Sequence, residues 1–288
     1  MRPKNPSSTS TANEPRDPAS VLAASSFNVG LQLLPANLRR DARALYLLLR
    51  TIDDLVDERR PEAEERVRAM ERWALGEPPT SPEANTLEQL AQRYAISRPA
   101  VGEFCEGMRH DLAGAEMETE QDLERYCHCV AGTVGVLLAG LLGTTSEEGT
   151  SKMAILGAAM QRTNILRDID EDLAQGRLYV PRTLIETYGL PVPGAREQLL
   201  RDQIPQADVL YEQGMDAIPL LRNGQQAMGL STVLYREILR QLERDGYGRK
   251  PGRATVPTWR KTMIANSYLR PHPATHHHGD PHASHPDY

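Results

Sequence analysis

The sequence has 288 residues, 40 % of them hydrophobic and 25 % charged, with a formal net charge of −6. That length and balance suit a globular chain with one large core, and the acidic excess excludes a nucleic-acid partner recruited by bulk charge. Two phenylalanines and few β-branched runs, against abundant Ala, Leu, Arg and Glu, favour helices over sheets.

Residues 1–18 are Pro, Ser, Thr and Asn with few large apolar side chains, which predicts a disordered tail with no apolar signal-peptide core. One helical domain is expected over 19–270. Ala19 to Leu34 reads as a helix stopped by Pro35. A second runs from Ala36 to about Glu58, with Leu38, Ala42, Leu45, Leu49, Ile52 and Val56 at three- and four-residue steps. Helices follow near 62–75 and 83–94, then one from Pro99 to Leu112. Thr119 with Asp122 resembles a helix-start box ahead of one continuous helix from Leu123 to Leu142. The apolar stretch Val130–Leu142, broken by Gly132, Gly135 and Gly140, falls short of the roughly 20 residues that span a bilayer and reads as a core helix. Further helices are predicted over 147–172, 181–188, 205–221 with Pro205 as its first residue, 223–244 and 258–269. Cys105, Cys127 and Cys129 lie in apolar helical sequence, which fits a reducing cytoplasm, and the Cys-x-Cys pair lacks a second cluster to complete a metal site. The end, 271–288, carries six histidines among Pro, Asp and Ala, a solvated tail or a loose transition-metal binder.

Two acidic clusters carry the chemistry. In Arg50-Thr51-Ile52-Asp53-Asp54-Leu55-Val56-Asp57, Asp53 and Asp57 stand four apart on one helix face with Asp54 adjacent. In Asn164-Ile165-Leu166-Arg167-Asp168-Ile169-Asp170-Glu171-Asp172, Asp168 and Asp172 repeat that spacing and Asn164 extends the stripe by a turn. Like charges stacked this way cost a helix about 0.2–0.5 kcal/mol per pair, and both clusters sit near predicted C-termini, where the helix dipole disfavours anions. A single such cluster is ordinarily a solvated helix end paired with nearby arginines. Two of them, each preceded by an arginine, point to a cation held between. Mg²⁺ fits, since it takes few carboxylates and completes its shell with water and phosphate oxygens; Mn²⁺ is the alternative ion.

The residues then carry a resemblance. Ser25-Ser26-Phe27, Leu34-Pro35 and the Tyr46–Glu58 segment resemble the opening of squalene and phytoene synthases. Tyr126-Cys127-His128-Cys129-Val130-Ala131-Gly132-Thr133-Val134-Gly135 is similar to that family's YCxxVAGxVG segment. Gln161–Asp168, continuing through Glu171-Asp172 to Gly176-Arg177-Leu178-Tyr179-Val180-Pro181, is similar to its second aspartate motif, and Tyr235–Leu239 with Gly246-Tyr247 also fit. The likeness spans about residues 20 to 268 in the family's order.

The resemblance implies an all-α isoprenoid-synthase fold, a single domain with a central cavity flanked by both Asp motifs. It implies Mg²⁺-dependent head-to-head condensation of two prenyl diphosphates, one ionising and the double bond of the other attacking its cation, to presqualene diphosphate and squalene or to phytoene. Farnesyl diphosphate is the favoured substrate because the second motif looks closest to presqualene-forming bacterial members; geranylgeranyl diphosphate comes next. Metal ligands would be Asp53, Asp54, Asp57, Asn164, Asp168 and Asp172, with Arg50, Gln161, Asn164, Arg167 and Arg177 on the diphosphate. Tyr126, then Tyr46 and Tyr179, would stand near the cation or departing proton, and Val130, Val134, Leu137 and Leu138 would line the cavity. Asn28 and Met117 stand where aromatics are common in the family, a departure that bears on cavity shape. The lack of a Gly-rich nucleotide fingerprint leaves NADPH-dependent reduction open, as are the oligomeric state and peripheral docking on a membrane. Two rivals remain: a cyclase or prenyltransferase using one prenyl diphosphate in the same fold, and a non-catalytic helical partner protein.

Overall fold

Pro35, Pro181 and Pro257 each precede a helix they cannot join, and serine or threonine supplies the missing hydrogen bonds at four other starts. The side chains of Ser81, Ser97, Thr119 and Ser146 accept from the backbone N–H groups of Ala84, Ala100, Asp122 and Gly149, and Asp122 answers Thr119 to complete the expected capping box. The computed structural model describes residues 26–270. Within them run α1 (Ser26–Leu31), α2 (Ala36–Asp57), α3 (Ala63–Ala74), α4 (Pro82–Ala91), α5 (Arg98–Ala113), α6 (Glu120–Cys127), a π turn (His128–Gly132), α7 (Thr133–Leu142), α8 (Glu147–Ala174), α9 (Arg182–Tyr188), α10 (Glu197–Met215), a 3₁₀ turn (Ile218–Leu220), α11 (Gln225–Arg244) and α12 (Thr258–Leu269). The described residues form no strand; a lone bridge joins Thr144 to Leu221.

The 28-residue α8 is the spine, packed by α7, the π turn, α10 and α11. Close approach there depends on glycine. A Cβ on Gly135 would lie 2.1 Å from the Met153 carbonyl oxygen, and one on Gly157 2.1 Å from that of Ala131, so backbone meets backbone where α7 and the π turn cross α8. Trp73, Tyr211, Leu45 and Ile52 are fully buried in the main core. A satellite core joins Met117, Leu123, Tyr126, Cys127 and Ile165.

Three expectations change. The helix expected to begin at Pro205 begins at Glu197 and carries Pro205 inside it; burial of Leu199, Leu200, Gln203 and Ile204 outweighs the lost N–H and the ring's clash. The continuous helix over 123–142 is interrupted by the π turn. The first helix is shorter, since its described part ends at Leu31, while the expected helical start at 19–25 and both tails, 1–18 and 271–288, lie outside the described residues. The run Glu120–Leu142 is long and apolar enough to cross a membrane, but 67 % of its most apolar window is buried inside the protein, as a core helix would be.

Candidate functional site

The last turns of α2 and α8 carry the two acidic clusters, and the loop after α8 joins them. Arg50 donates to Asp53 across 2.9 Å and to Asp54 across 2.6 Å. Arg177, 120 residues along the chain, donates to the Asp57 carboxylate and to its backbone carbonyl. Arg167 grips Asp168 with two N–H groups, the longer at 2.7 Å, and Arg253 reaches the same carboxylate at 3.2 Å.

Electrostatics agree with this convergence. Burial, then the like charge of Asp57, pushes the Asp53 carboxyl above the usual carboxylate range, with Arg50 opposing. Asp53 is surrounded by protein yet 37 % exposed, because its open side is a cavity. Asp172 is pushed up to about 7, first by burial, then by Asp168, with Arg177 opposing and Asp57 adding. Each cluster therefore feels the other's charge.

A cavity of about 540 Å³ opens beside them. Its polar end presents Arg50, Asp53, Gln161, Asn164 and Arg167; its walls include Leu49, Phe104, Val130, Val134 and Ile238. Tyr46 stands on the wall, its hydroxyl pushed up to about 12 by burial against the pull of Arg50. Asn164 donates to Gln161 at 3.1 Å and accepts from Tyr235 at 2.8 Å, which fixes its amide. Leu137 and Leu138, expected on this wall, do not line it and are buried in the main core, about one turn further along α7 than Val134.

Tyr126 is not on the wall either. It is 6 % exposed in the satellite core, stacked on Tyr179 at 5.1 Å between ring centroids. Both hydroxyls donate to Asp111, at 2.9 and 3.1 Å. Burial lifts Asp111 to about 6; the two hydroxyls pull it down, Asp57 pushes it up and Arg177 opposes. The Tyr126 hydroxyl is in turn held above the ordinary tyrosine range by burial and by Asp111. Asp172, Arg177 and Tyr179 share a second hollow of about 10 Å³, space on the order of one water.

Among the described residues, no three Asp, Glu, His or Cys side chains gather into a self-sufficient metal site. The aspartates sit beside arginines, and the Oδ2 atom of Asp54 is buried with no protein partner. Sequence reasoning missed Asp111, Phe104, Arg253 and Lys261. Asp111 on α5 has no carboxylate three or four residues away to make a spacing pattern, and the other three reach the site through tertiary contacts alone.

A stability test follows from Asp172. Its raised pKa means the folded protein keeps a proton that the unfolded chain releases above the ordinary carboxylate range near pH 4, so this group lowers stability as pH rises from about 4 to about 7. Without metal, Asp172→Asn is expected to melt above the parent by clearly more at pH 8 than at pH 5. Melting curves showing the same difference at both pH values would contradict the raised pKa.

Residues 22–260 match the family model for squalene/phytoene synthase. The chain is 35 % identical over 250 residues to a phytoene synthase of Thermus thermophilus, covering 83 % of this chain and 86 % of that one. It is 36 % identical over 176 residues to a presqualene diphosphate synthase of Zymomonas mobilis, covering 58 % and 60 %. Among solved structures, a dehydrosqualene synthase in complex with ligand superposes with a TM-score of 0.78 at 28 % identity, over 87 % of this chain and 93 % of that one. The fold is thus the all-α isoprenoid-synthase fold, and the chain belongs to the squalene/phytoene synthase family.

Proposed function

We propose that this prenyltransferase condenses two molecules of farnesyl diphosphate head to head, with Mg²⁺ carrying the diphosphate. Action on prenyl diphosphates and head-to-head coupling go with the family; the chain length and the ion are our reading. The observation that carries it is the meeting of the two aspartate clusters, through Arg177 on Asp57 and the mutual charge of Asp57 and Asp172, beside one largely apolar cavity.

The donors fit the ion. Several carboxylates repel one another and one buried oxygen on Asp54 lacks a partner, which suits a hard cation that takes few protein ligands and shares phosphate oxygens. Asp53, Asp54, Asp57, Asn164, Asp168 and Asp172 would hold Mg²⁺, or Mn²⁺ in its place. The bound ion supplies Lewis acidity to the departing diphosphate. Arg50, Arg167, Arg177 and Gln161 donate hydrogen bonds to the same anion, and Arg253 and Lys261 add positive charge at the cavity wall.

Coupling forms two bonds from C1 of one substrate to the two carbons of the other's double bond; the C1–O bond and one C1–H bond break, so that one diphosphate and one proton leave with a cyclopropylcarbinyl diphosphate as product. Leu49, Phe104, Val134 and Ile238 keep water from the allylic cation. Tyr46 and Tyr235 turn electron-rich rings toward the same space. Tyr126 and Tyr179 stand behind it, both donating to the Asp111 carboxyl, which burial lifts to about 6. We also read the chain as a cytoplasmic enzyme that collects its lipidic substrates at a membrane.

Product analysis by mass spectrometry tests the reading, with fifteen- and twenty-carbon diphosphates offered separately, with Mg²⁺ and with and without NADPH. Doubling of the carbon count, faster with the shorter substrate, is expected. Products that keep the substrate's carbon count would replace coupling by cyclisation.

Phe104 sets a specificity prediction. It lines the cavity and is 2 % exposed, so its ring limits the space for a prenyl tail. Phe104→Leu is expected to shift the ratio of twenty- to fifteen-carbon coupling upward by about tenfold, since a methylene or two of fit is worth on the order of 1–3 kcal/mol. Both products are read from one mixture, so lost stability does not bias the ratio; an unchanged ratio would remove Phe104 from the length determinants.

A further inference from the structure

From Arg249 to Arg270 the chain carries six cations and no aspartate or glutamate, although the whole sequence has a net charge of −6. Arg249, Arg253 and Arg260 pair with Glu197, with Asp168 and Glu171, and with Glu237, which leaves Lys250, Lys261 and Arg270 without an ion pair among the described residues. The same stretch ends in α12, which exposes Trp259 (64 %), Met263 (51 %) and Leu269 (43 %). Trp259 and Met263 are four residues apart and share a helix face. The opposite side is fixed to α11. Arg260 pairs with Glu237, and the Tyr268 hydroxyl sits where a Cβ on Gly229 would be, 1.8 Å away. The helix is therefore held with its tryptophan and methionine outward.

Its place matters. Lys261 and the residues leading into the helix, Arg253, Ala254, Thr255 and Val256, line the cavity. The segment that carries the exposed face thus also forms part of the cavity wall.

We propose that Arg249–Arg270, with the outer face of α12, is a docking surface for a bilayer rich in anionic phospholipid. The inference deepens the proposed function, which has lipidic substrates collected at a membrane; the surface itself stands on charge and exposure. A tryptophan beside aliphatic side chains, flanked by Lys and Arg, suits the boundary between headgroups and acyl chains. Basic residues near an anionic leaflet draw the protein in, and the attraction fades with salt. A second copy of this chain fits less well, because a two-fold contact sets the same patch against itself and so apposes the two basic stretches.

The chain's two tryptophans make the test direct, since Trp73 is fully buried and Trp259 is exposed. The full-length chain is mixed with vesicles of phosphatidylcholine alone, or with a third of phosphatidylglycerol, at low and high salt, and followed by co-sedimentation and tryptophan emission. Binding to the anionic vesicles with a blue shift, reversed by salt, is expected. Lys250→Glu with Arg270→Glu is expected to weaken partitioning by about tenfold or more, and Trp259→Ala to abolish the blue shift. Turnover of detergent-dispersed substrate by the charge-reversed variant is expected to match the parent. The proposal is overturned if the parent ignores anionic vesicles at low salt, if both variants partition as the parent does, or if Trp259 emission shifts with protein concentration alone, which would make the patch a contact between copies. Absence of coupling in detergent would count against the proposed reaction, while the vesicle measurements, made without substrate, judge the docking surface separately.

Discussion

Asp53→Ala is expected to reduce kcat/KM by about a thousandfold while leaving the melting temperature equal or higher. Asp53 lies at the polar end of the cavity beside Arg50, with Asp57 as a like-charged neighbour and burial raising the cost of its ionised form. The fold gains little from a carboxylate there, so its removal relieves repulsion. The reaction, by contrast, separates a diphosphate anion from an allylic cation. A pre-set group that stabilises developing charge is commonly worth 10²–10³ in rate, and one that also holds a cation reaches the upper end. Asp168→Ala should lose turnover to a like extent but at a cost in stability, because it leaves the largely buried Arg167 without its two hydrogen bonds to that carboxylate. The double variant should lose far less than the product of the two single losses, because both aspartates serve one ion cluster. Steady-state turnover with Mg²⁺ and a prenyl diphosphate, beside thermal melts, checks the pair of claims. Parent-like turnover by Asp53→Ala would refute the site.

The second large effect is on stability. Arg162 is 2 % exposed and ties α6, α8 and α10 together, donating to Glu120 and Gln203 at 2.6 Å and to Gln206 at 2.9 Å. Gln203 also donates to Glu120 at 2.6 Å, closing the network. Arg162→Ala leaves a carboxylate and two amides without their shared donor. Breaking such a buried charge network costs about 3–5 kcal/mol, and the partial solvent access of Glu120 argues for the lower end. For a chain of this size about 3 kcal/mol lowers the melting temperature by roughly 6–12 °C. Because Arg162 faces away from the cavity that Gln161 and Asn164 line, turnover per folded molecule should stay near the parent's. A melting temperature within a degree or two would show that the network contributes little.

The helices were readable because apolar residues recur at 3.6-residue steps and because Ser, Thr and Pro mark their starts; Ala36–Asp57 and Thr119 with Asp122 are clear cases. Pro205 misled because its local penalty is visible in sequence, whereas the burial of Leu199, Leu200 and Ile204 that overrides it is a property of the packed state. The two aspartate clusters stood out through spacing and repetition. Asp111 did not, since its importance arises from two tyrosines contributed by other segments, Tyr126 and Tyr179. Arg253 comes to Asp168 on a loop whose course depends on the Asp170 carboxylate accepting from the Gly252 N–H. No sequence period encodes such a contact.

The π turn at His128–Gly132 has an evolutionary reading. A wider turn lodges one more residue than a regular one, and each residue of an α-helix advances the winding by about 100°. Upstream, Tyr126 and Cys127 face the satellite core; downstream, Val134 borders the large cavity and Gly135 meets α8. Deleting Ala131 would let the wide turn close to a regular α turn and leave Val134 and Gly135 near their present places, because the extra residue is absorbed within the turn itself. A one-residue gap within α7 itself would carry every later side chain about a quarter-turn around the axis, so among chains that keep the same hollow such gaps should fall at the π turn rather than within Thr133–Leu142.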